Sequence, residues 1–209
     1  VDHKCNYEFF EADFNQVEMQ NENPTSELHE FAPEYIIVFQ SSHKLLETYS
    51  LLSPNKRLEL FDDRLDFIKK ITSKLDAHVI YFNYSEIDDS VFGSYSNSVK
   101  DSFLFQLRKL NVSLMEIACD DSHFHICDLS SIQNKFGRDL MYPASIYMTT
   151  ELLISLEVLP YVASRVVDII DAIRGKIKKC LILDLDNTLW GGVIGDDGME
   201  KIRLGHGLG

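Results

Sequence analysis

Lys178-Lys179-Cys180-Leu181-Ile182-Leu183-Asp184-Leu185-Asp186-Asn187-Thr188-Leu189-Trp190-Gly191-Gly192 is the stretch on which the reading of this chain turns. An apolar run, Cys180 to Leu183, ends in two aspartates spaced i, i+2, followed by a threonine and a pair of glycines. If the run is a buried strand, alternation puts Asp184 and Asp186 on the same side as the chain leaves the sheet. Carboxylates at the carboxyl end of a parallel strand lie where open α/β sheets bind ligands. Two adjacent carboxylates repel, so they are stable together with a cation between them or with one protonated. Such an oxygen-rich pair suits Mg²⁺, which keeps waters and shares substrate phosphate oxygens. The competing reading is a strand capped by an acidic turn, and a lone DxD would not decide between them; the whole string does.

Working back towards the amino end, apolar spacing alternates between strand and helix. Tyr35 to Phe39 (YIIVF) reads as a buried strand after Pro33. Leu45, Leu46, Tyr49 and Leu52 mark a short helix, and Ser53-Pro54 is a helix restart, serine as N-cap and proline at the first position. Leu58, Phe61, Leu65, Ile68, Ile71 and Leu75 then step by three or four residues along an amphipathic helix to about Lys74. His78 to Phe82 is the next strand; Val99, Phe103, Leu107 and Leu110 mark a helix, and Val112 to Ala118 is expected as a strand. His123 to Leu129 is expected to be extended, and a helix from Ser130 or Ser131 stops at Gly137 in the left-handed position. The longest apolar-faced helix is predicted over Glu151 to Ile173, capped by Thr149 or Thr150, interrupted by Pro160 and closed by Gly175. Before Tyr35 a short helix is expected near Glu27 to Phe31, preceded by a loop from Gln16 to Ser26. Recurring strand, helix, strand order implies an α/β fold, a mostly parallel sheet with helices on both faces in a three-layer sandwich. Residues 1–175 form one such domain in this reading, and 176–209 begin a second.

Composition narrows the function classes. The chain has 209 residues, 45% hydrophobic, enough for a substantial core, and a formal charge of −13. That charge argues against nucleic acid as a partner, since a polyanion is repelled without a local basic face. Nine acidic residues precede Tyr35 against the single Lys4, so much of the imbalance belongs to one segment. No window approaches a membrane span and Val1-Asp2-His3-Lys4 is no signal peptide, so a cytoplasmic protein without membrane partners is expected. Cys5, Cys119, Cys127 and Cys180 show no CxxC pair or disulfide framework; Cys127 and Cys180, each in an apolar strand, read as buried free thiols.

Asp184-x-Asp186-x-Thr188 resembles the aspartate-nucleophile motif, DxDxT, of haloacid dehalogenase (HAD) superfamily phosphatases and phosphotransferases. The continuation DLDNTLWGGVIGDDGMEKIRLG, Asp184 to Gly205, resembles the FkbH-like branch, sharply over Lys178 to Gly209. The resemblance implies an amino-terminal α/β domain of flavodoxin or SGNH-hydrolase-like topology, followed by the first strand and flap of a Rossmann-like HAD domain. It implies Asp184 as the nucleophile, Asp186 as general acid and base with a raised pKa, and both as Mg²⁺ ligands. Thr188, Trp190, Gly191 and Gly192 would belong to the substrate and flap region. FkbH-like proteins are associated with loading a glyceryl unit from a phosphorylated three-carbon donor onto an acyl carrier protein. A HAD site also needs a Ser or Thr, a Lys or Arg and a later acidic cluster, carried on further strands. The 21 residues after Thr188 suffice for a flap but not for several βα units of about 30 residues each. These 209 residues are therefore expected to be inactive alone.

Other constellations have plainer roles beside the chemical ones. The SGNH hallmarks fail: there is no Gly-Asp-Ser, no GxND after YIIVF, which continues Gln40-Ser41-Ser42-His43, and no Asp-x-x-His before the long helix. An esterase is thus the weakest alternative, behind a non-catalytic binding or scaffold domain. Ser41, Ser42 and His43 could line a pocket, though a helix N-cap is the simpler role. In His123-x-His125-x-Cys127 the ends lie about 13 Å apart on a strand, too far to share an ion, so only a His-x-His pair is feasible. Arg174, Lys176, Lys178 and Lys179 precede the strand, at its far end from the aspartates. They read as a solvated helix-end cluster, with docking of an acidic carrier as the alternative. Gly195-Asp196-Asp197-Gly198 is expected as the tight turn of a flap hairpin.

Overall fold

A computed structural model describes residues 7–12, 16–87, 91–143, 153–176, 180–201 and 203, and the chain divides into two compact units, residues 1–170 and 171–209. The first unit is built on a three-stranded parallel sheet in the order β1-β2-β3. The strands are β1 (Tyr35–Val38), β2 (His78–Phe82) and β3 (Phe124–Cys127). Their register pairs Ile37 with Ile80 and Ile80 with His125. Between β1 and β2 lie α3 (Ser42–Leu51) and α4 (Pro54–Lys74); α5 (Phe103–Asp120) joins β2 to β3. The order advances in one direction, so right-handed crossovers must place these helices on the same face of the sheet. They share one apolar cluster there: Leu45 and Tyr49 of α3, Phe61, Ile68 and Ile71 of α4, and Leu107, Leu110 and Leu114 of α5 cover Val79, Tyr81 and Phe124.

Alternation sends Ile80, Phe82 and Cys127 to the opposite face. The chain beyond β3 covers them with α6 (Leu129–Phe136), α7 (Arg138–Met141) and α8 (Leu159–Ile173). In α8, Val162, Val166 and Ile170 recur every four residues as its buried stripe. Two helix layers thus enclose the sheet, the α/β architecture expected from the pattern of elements.

Several local expectations are corrected. Gln16 to Ser26 is not all loop, because α1 (Val17–Glu22) forms there before α2 (Glu27–Phe31). Val112 to Ala118 is not a strand; α5 runs through it, and Leu107, Leu110 and Leu114 keep helical spacing. Gly137 has a positive φ of 82° but ψ of 154°, an extended rather than left-handed helix stop, and Asp128 is the N-cap of α6, accepting from Ser131 N–H. The last long helix starts at Leu159, with Pro160 in its first turn where no amide bond is lost, rather than being interrupted by it. Thr149 and Thr150 lie outside the described residues, as does Cys5. Cys127 is buried, its thiol pushed up to about 11 by burial and then by Asp128. Among the described residues no helix is long and apolar enough to cross a membrane.

In the second unit the apolar run from Cys180 to Leu183 does not form a strand. Cys180 is exposed, against the expectation of a buried thiol, and Ile182 is 90% exposed. A strand needs a neighbour to pair with, and among the described residues this run has none. Structure resumes after it. Gly191 and Arg203 form an antiparallel bridge with two bonds of 2.8 Å. The segment they enclose is not a hairpin with a tight turn at Gly195-Asp196-Asp197-Gly198. It holds a short helix α9 (Ile194–Asp197) and a 3₁₀ turn (Met199–Lys201), with Gly198 at φ 74° between them.

Candidate functional site

Asp184 ends the apolar run and stands exposed; among the described residues its carboxylate has no hydrogen-bond partner. Asp186 is held. Its Oδ1 accepts from the indole Nε1–H of Trp190 at 3.1 Å and from the backbone N–H of Ile194 at 3.2 Å. The turn between them sets this up. Leu189 N–H donates to Leu185 O at 3.0 Å, and Asn187 sits at φ 55°, a left-handed conformation that asparagine tolerates. The Asn187 side chain then accepts from Gly192 N–H at 2.9 Å. Folded this way, the loop returns Trp190 over Asp186 and starts α9 beside it.

The arrangement separates the two aspartates chemically. Among the described residues one is an exposed carboxylate without a hydrogen-bond partner, the other an oriented one with two donors on a single oxygen. Of the residues expected in the flap, Trp190 binds Asp186 directly, and Gly191 makes the bridge to Arg203. A Cβ on Gly191 would stand at ordinary van der Waals distance, 3.4 Å, from the Arg203 Cβ. Thr188 is exposed, its N–H directed to Leu185 O at 3.4 Å. The donors offered to a cation are oxygens alone, the kind Mg²⁺ takes, and one or two carboxylates are its usual protein share. Among the described residues no group of three His, Cys, Asp or Glu side chains is placed to hold a metal ion. The pair fits Mg²⁺ in kind and supplies part of a site.

In the first unit, the carboxyl ends of the strands gather a second set of polar groups. Ser41 is the N-cap of α3, accepting from His43 N–H and Lys44 N–H, the simpler of its two expected roles. Ser42 is buried and donates to Ser85 O at 2.7 Å, while Tyr142 OH donates to Ser85 Oγ at 2.7 Å. His43 meets the Tyr142 ring edge-on at 5.2 Å, and its pKa is lowered by burial and by Arg138. Burial raises the Tyr142 hydroxyl to about 12, so it stays a donor. Neither Ser42 nor Ser85 has an imidazole as hydrogen-bond partner among the described residues, the contact that serine activation requires. Asn83 instead ties β2 to α6, accepting from Leu129 N–H at 2.6 Å and donating to Asp128 at 2.8 Å.

Two sequence constellations are rearranged in space. His125 does not act with Cys127, which enters the core; it meets His78 across the β2–β3 pair, Nε2 to Nδ1 at 3.1 Å. His123 stacks on His78 with ring centres 4.8 Å apart. His78 escapes sequence reasoning because only the strand register brings it beside the other two. Of the basic run, Lys176 pairs with Asp171 at 3.5 Å, and Lys178 and Lys179 lie outside the described residues.

Comparison with known proteins supplies the family. A family model described as the FkbH N-terminal domain matches residues 1–171. The chain belongs to the FkbH family. A relative of known structure agrees: the crystal structure of the N-terminal part of the protein BF1531 from Bacteroides fragilis, containing a phosphatase domain and complexed with Mg, is 52% identical. It superposes with a TM-score of 0.87 over 97% of this chain and 54% of that one, so the FkbH chain here spans about half of that relative. No curated protein matches the chain.

Proposed function

We propose that this chain is the amino-terminal part of a Mg²⁺-dependent HAD-type phosphatase or phosphotransferase, cytoplasmic, with Asp184 as nucleophile and Asp186 as general acid and base. The observation that carries it is the unequal treatment of the two carboxylates: Asp184 is exposed and without a partner among the described residues, and Asp186 is fixed by Trp190 and Ile194. The phosphatase domain and the Mg of the BF1531 crystal structure support the same reading.

In this mechanism a carboxylate oxygen of Asp184 forms a bond to the substrate phosphorus as the bond to the leaving oxygen breaks. Asp186 gives that oxygen its proton from Oδ2, since Oδ1 is engaged by two N–H donors. Asp186 then takes a proton from water, whose oxygen displaces Asp184 and releases phosphate. Asp184 and Asp186 would hold Mg²⁺, which when bound offsets charge between nucleophile and phosphoryl group. The remaining groups of a HAD site, a hydroxyl, a cation and an acidic cluster, would come from further strands, which would also pair the exposed run before Asp184. Residues 1–175 are the SGNH-like domain of this proposal and 176–209 the start of the HAD-like domain. The substrate would be a phosphorylated three-carbon glyceryl donor and the acceptor an acyl carrier protein, docking at the basic segment from Arg174 to Lys179.

A scaffold role for the first domain is the second reading, favoured by the lack of an activated serine among its described residues. Phosphate release from an aryl phosphate by the whole protein tests the enzyme. Mg²⁺-dependent turnover abolished in Asp184→Asn is the expected result, whereas turnover that survives this substitution sinks the mechanism. Wild type with no turnover on any phosphorylated acyl or glyceryl donor leaves the scaffold.

A further inference from the structure

The amino edge of the sheet carries an imidazole cluster that the proposed chemistry does not use. His78 opens β2, His125 lies in β3 and His123 immediately precedes it. Parallel pairing of Val79 with Phe124 and Ile80 with His125 places the three side by side. Tyr35 of β1 stacks on His78 with ring centres 5.9 Å apart, and His123 stacks on it at 4.8 Å. The His78 ring is thereby restrained, and its Nδ1 meets His125 Nε2 at 3.1 Å. Asp121 steadies the turn before β3, accepting from His123 N–H at 2.8 Å.

We propose that His78 and His125 clasp a single transition-metal ion of the Zn²⁺, Co²⁺ or Ni²⁺ class at the amino edge of the sheet, with water completing its shell. Nitrogens each ~2.0–2.1 Å from one such ion, at octahedral or tetrahedral angles, lie roughly 2.9–3.4 Å apart. The observed 3.1 Å falls inside that interval, so the spacing needs no change, and binding asks that the rings turn from a head-on contact to a convergent one. Imidazole suits these ions, whereas Mg²⁺ prefers the oxygens offered by Asp184 and Asp186. The two rings lie on different strands of one sheet, so the ion also cross-links β2 to β3.

The proton inventory allows it. Each neutral imidazole keeps one N–H, so binding asks only that the proton between the rings move to a ring nitrogen facing away. No third His, Cys, Asp or Glu among the described residues completes a three-ligand set. Affinity is therefore in the micromolar range, below that of a four-ligand structural site.

The test is a calorimetric titration of the full chain with Zn²⁺ near neutral pH, in excess Mg²⁺ to occupy the aspartates. The expected result is one ion per chain, with affinity weakened about tenfold or more in both His78→Asn and His125→Asn, the equivalent of ~1.4 kcal/mol. Circular dichroism checks that each variant folds. If one does not, imidazole ¹⁵N shifts of the wild type decide: Zn²⁺ should move His78 Nδ1 and His125 Nε2. Absence of saturation below millimolar Zn²⁺, unchanged affinity in both variants, or shifts confined to other histidines would overturn the site.

Discussion

Trp190 touches Asp186 through a single proton, the indole Nε1–H donated to Oδ1 at 3.1 Å. Ile194 N–H shares the same oxygen, so removing the indole leaves the carboxylate one fixed donor and freedom to rotate. Trp190→Phe keeps an aromatic ring and deletes that proton. In the whole protein kcat should fall roughly tenfold, the rate equivalent of about 1.4 kcal/mol, with KM little changed. A change in KM alone would mean that Trp190 touches substrate and does not position Asp186. The candidacy of the carboxylate pair was legible, since DxDxT points to it by residue type and spacing, and its role is a proposal. The pair's support was not legible. A tryptophan four residues on looks like flap, and only the left-handed turn at Asn187 reveals that it folds back. His78 was illegible for the same reason at longer range, 47 residues from His125.

Between residues and molecule, α5 shows how local preference loses to context. Val112 to Ala118 is rich enough in apolar residues to read as a strand, yet Leu107, Leu110 and Leu114 are buried at helical intervals while Val112 and Met115 are exposed. A strand would have put Val112, Leu114 and Glu116 on one face, burying a carboxylate without a partner. The helix avoids this and covers Phe124 from above. Leu114→Ala should cost roughly 2–5 kcal/mol in urea unfolding, a lost core side chain plus its cavity. Met115→Ala should stay within about 0.5 kcal/mol, as an exposed position does. Equal losses at both sites would refute the helical packing described for α5. The strands β1, β2 and β3 were legible because short apolar runs between caps and turns have few alternatives. The Cys180–Leu183 run had the same appearance and is not a strand here, because pairing depends on a neighbour that sequence composition cannot show.

For the molecule, the groups with shifted protonation weigh stability against acid. His43 lies below its ordinary pKa through burial and then Arg138, and His125 through burial and its histidine neighbours. For a base lowered in the folded state, the unfolded chain takes the proton first, so stability falls as pH drops below about 6.5 and levels off beneath the folded pKa. Glu86 adds a second acid limb. Arg108 holds its carboxyl down through hydrogen bonds of 2.6 and 2.7 Å, with burial opposing. For an acid lowered in the folded state, the stabilisation is present above about 4.3 and is lost as pH falls through the folded pKa. This second step should be small, because both partners are more than a third exposed and water screens them. Urea midpoints measured from neutral pH downwards should therefore decline in two stages, the histidine stage first. In His43→Asn the first stage should shrink without vanishing, since His125 remains, while the carboxylate stage stays put. A profile flat down to the carboxylate range would show that neither His43 nor His125 is held neutral by the fold.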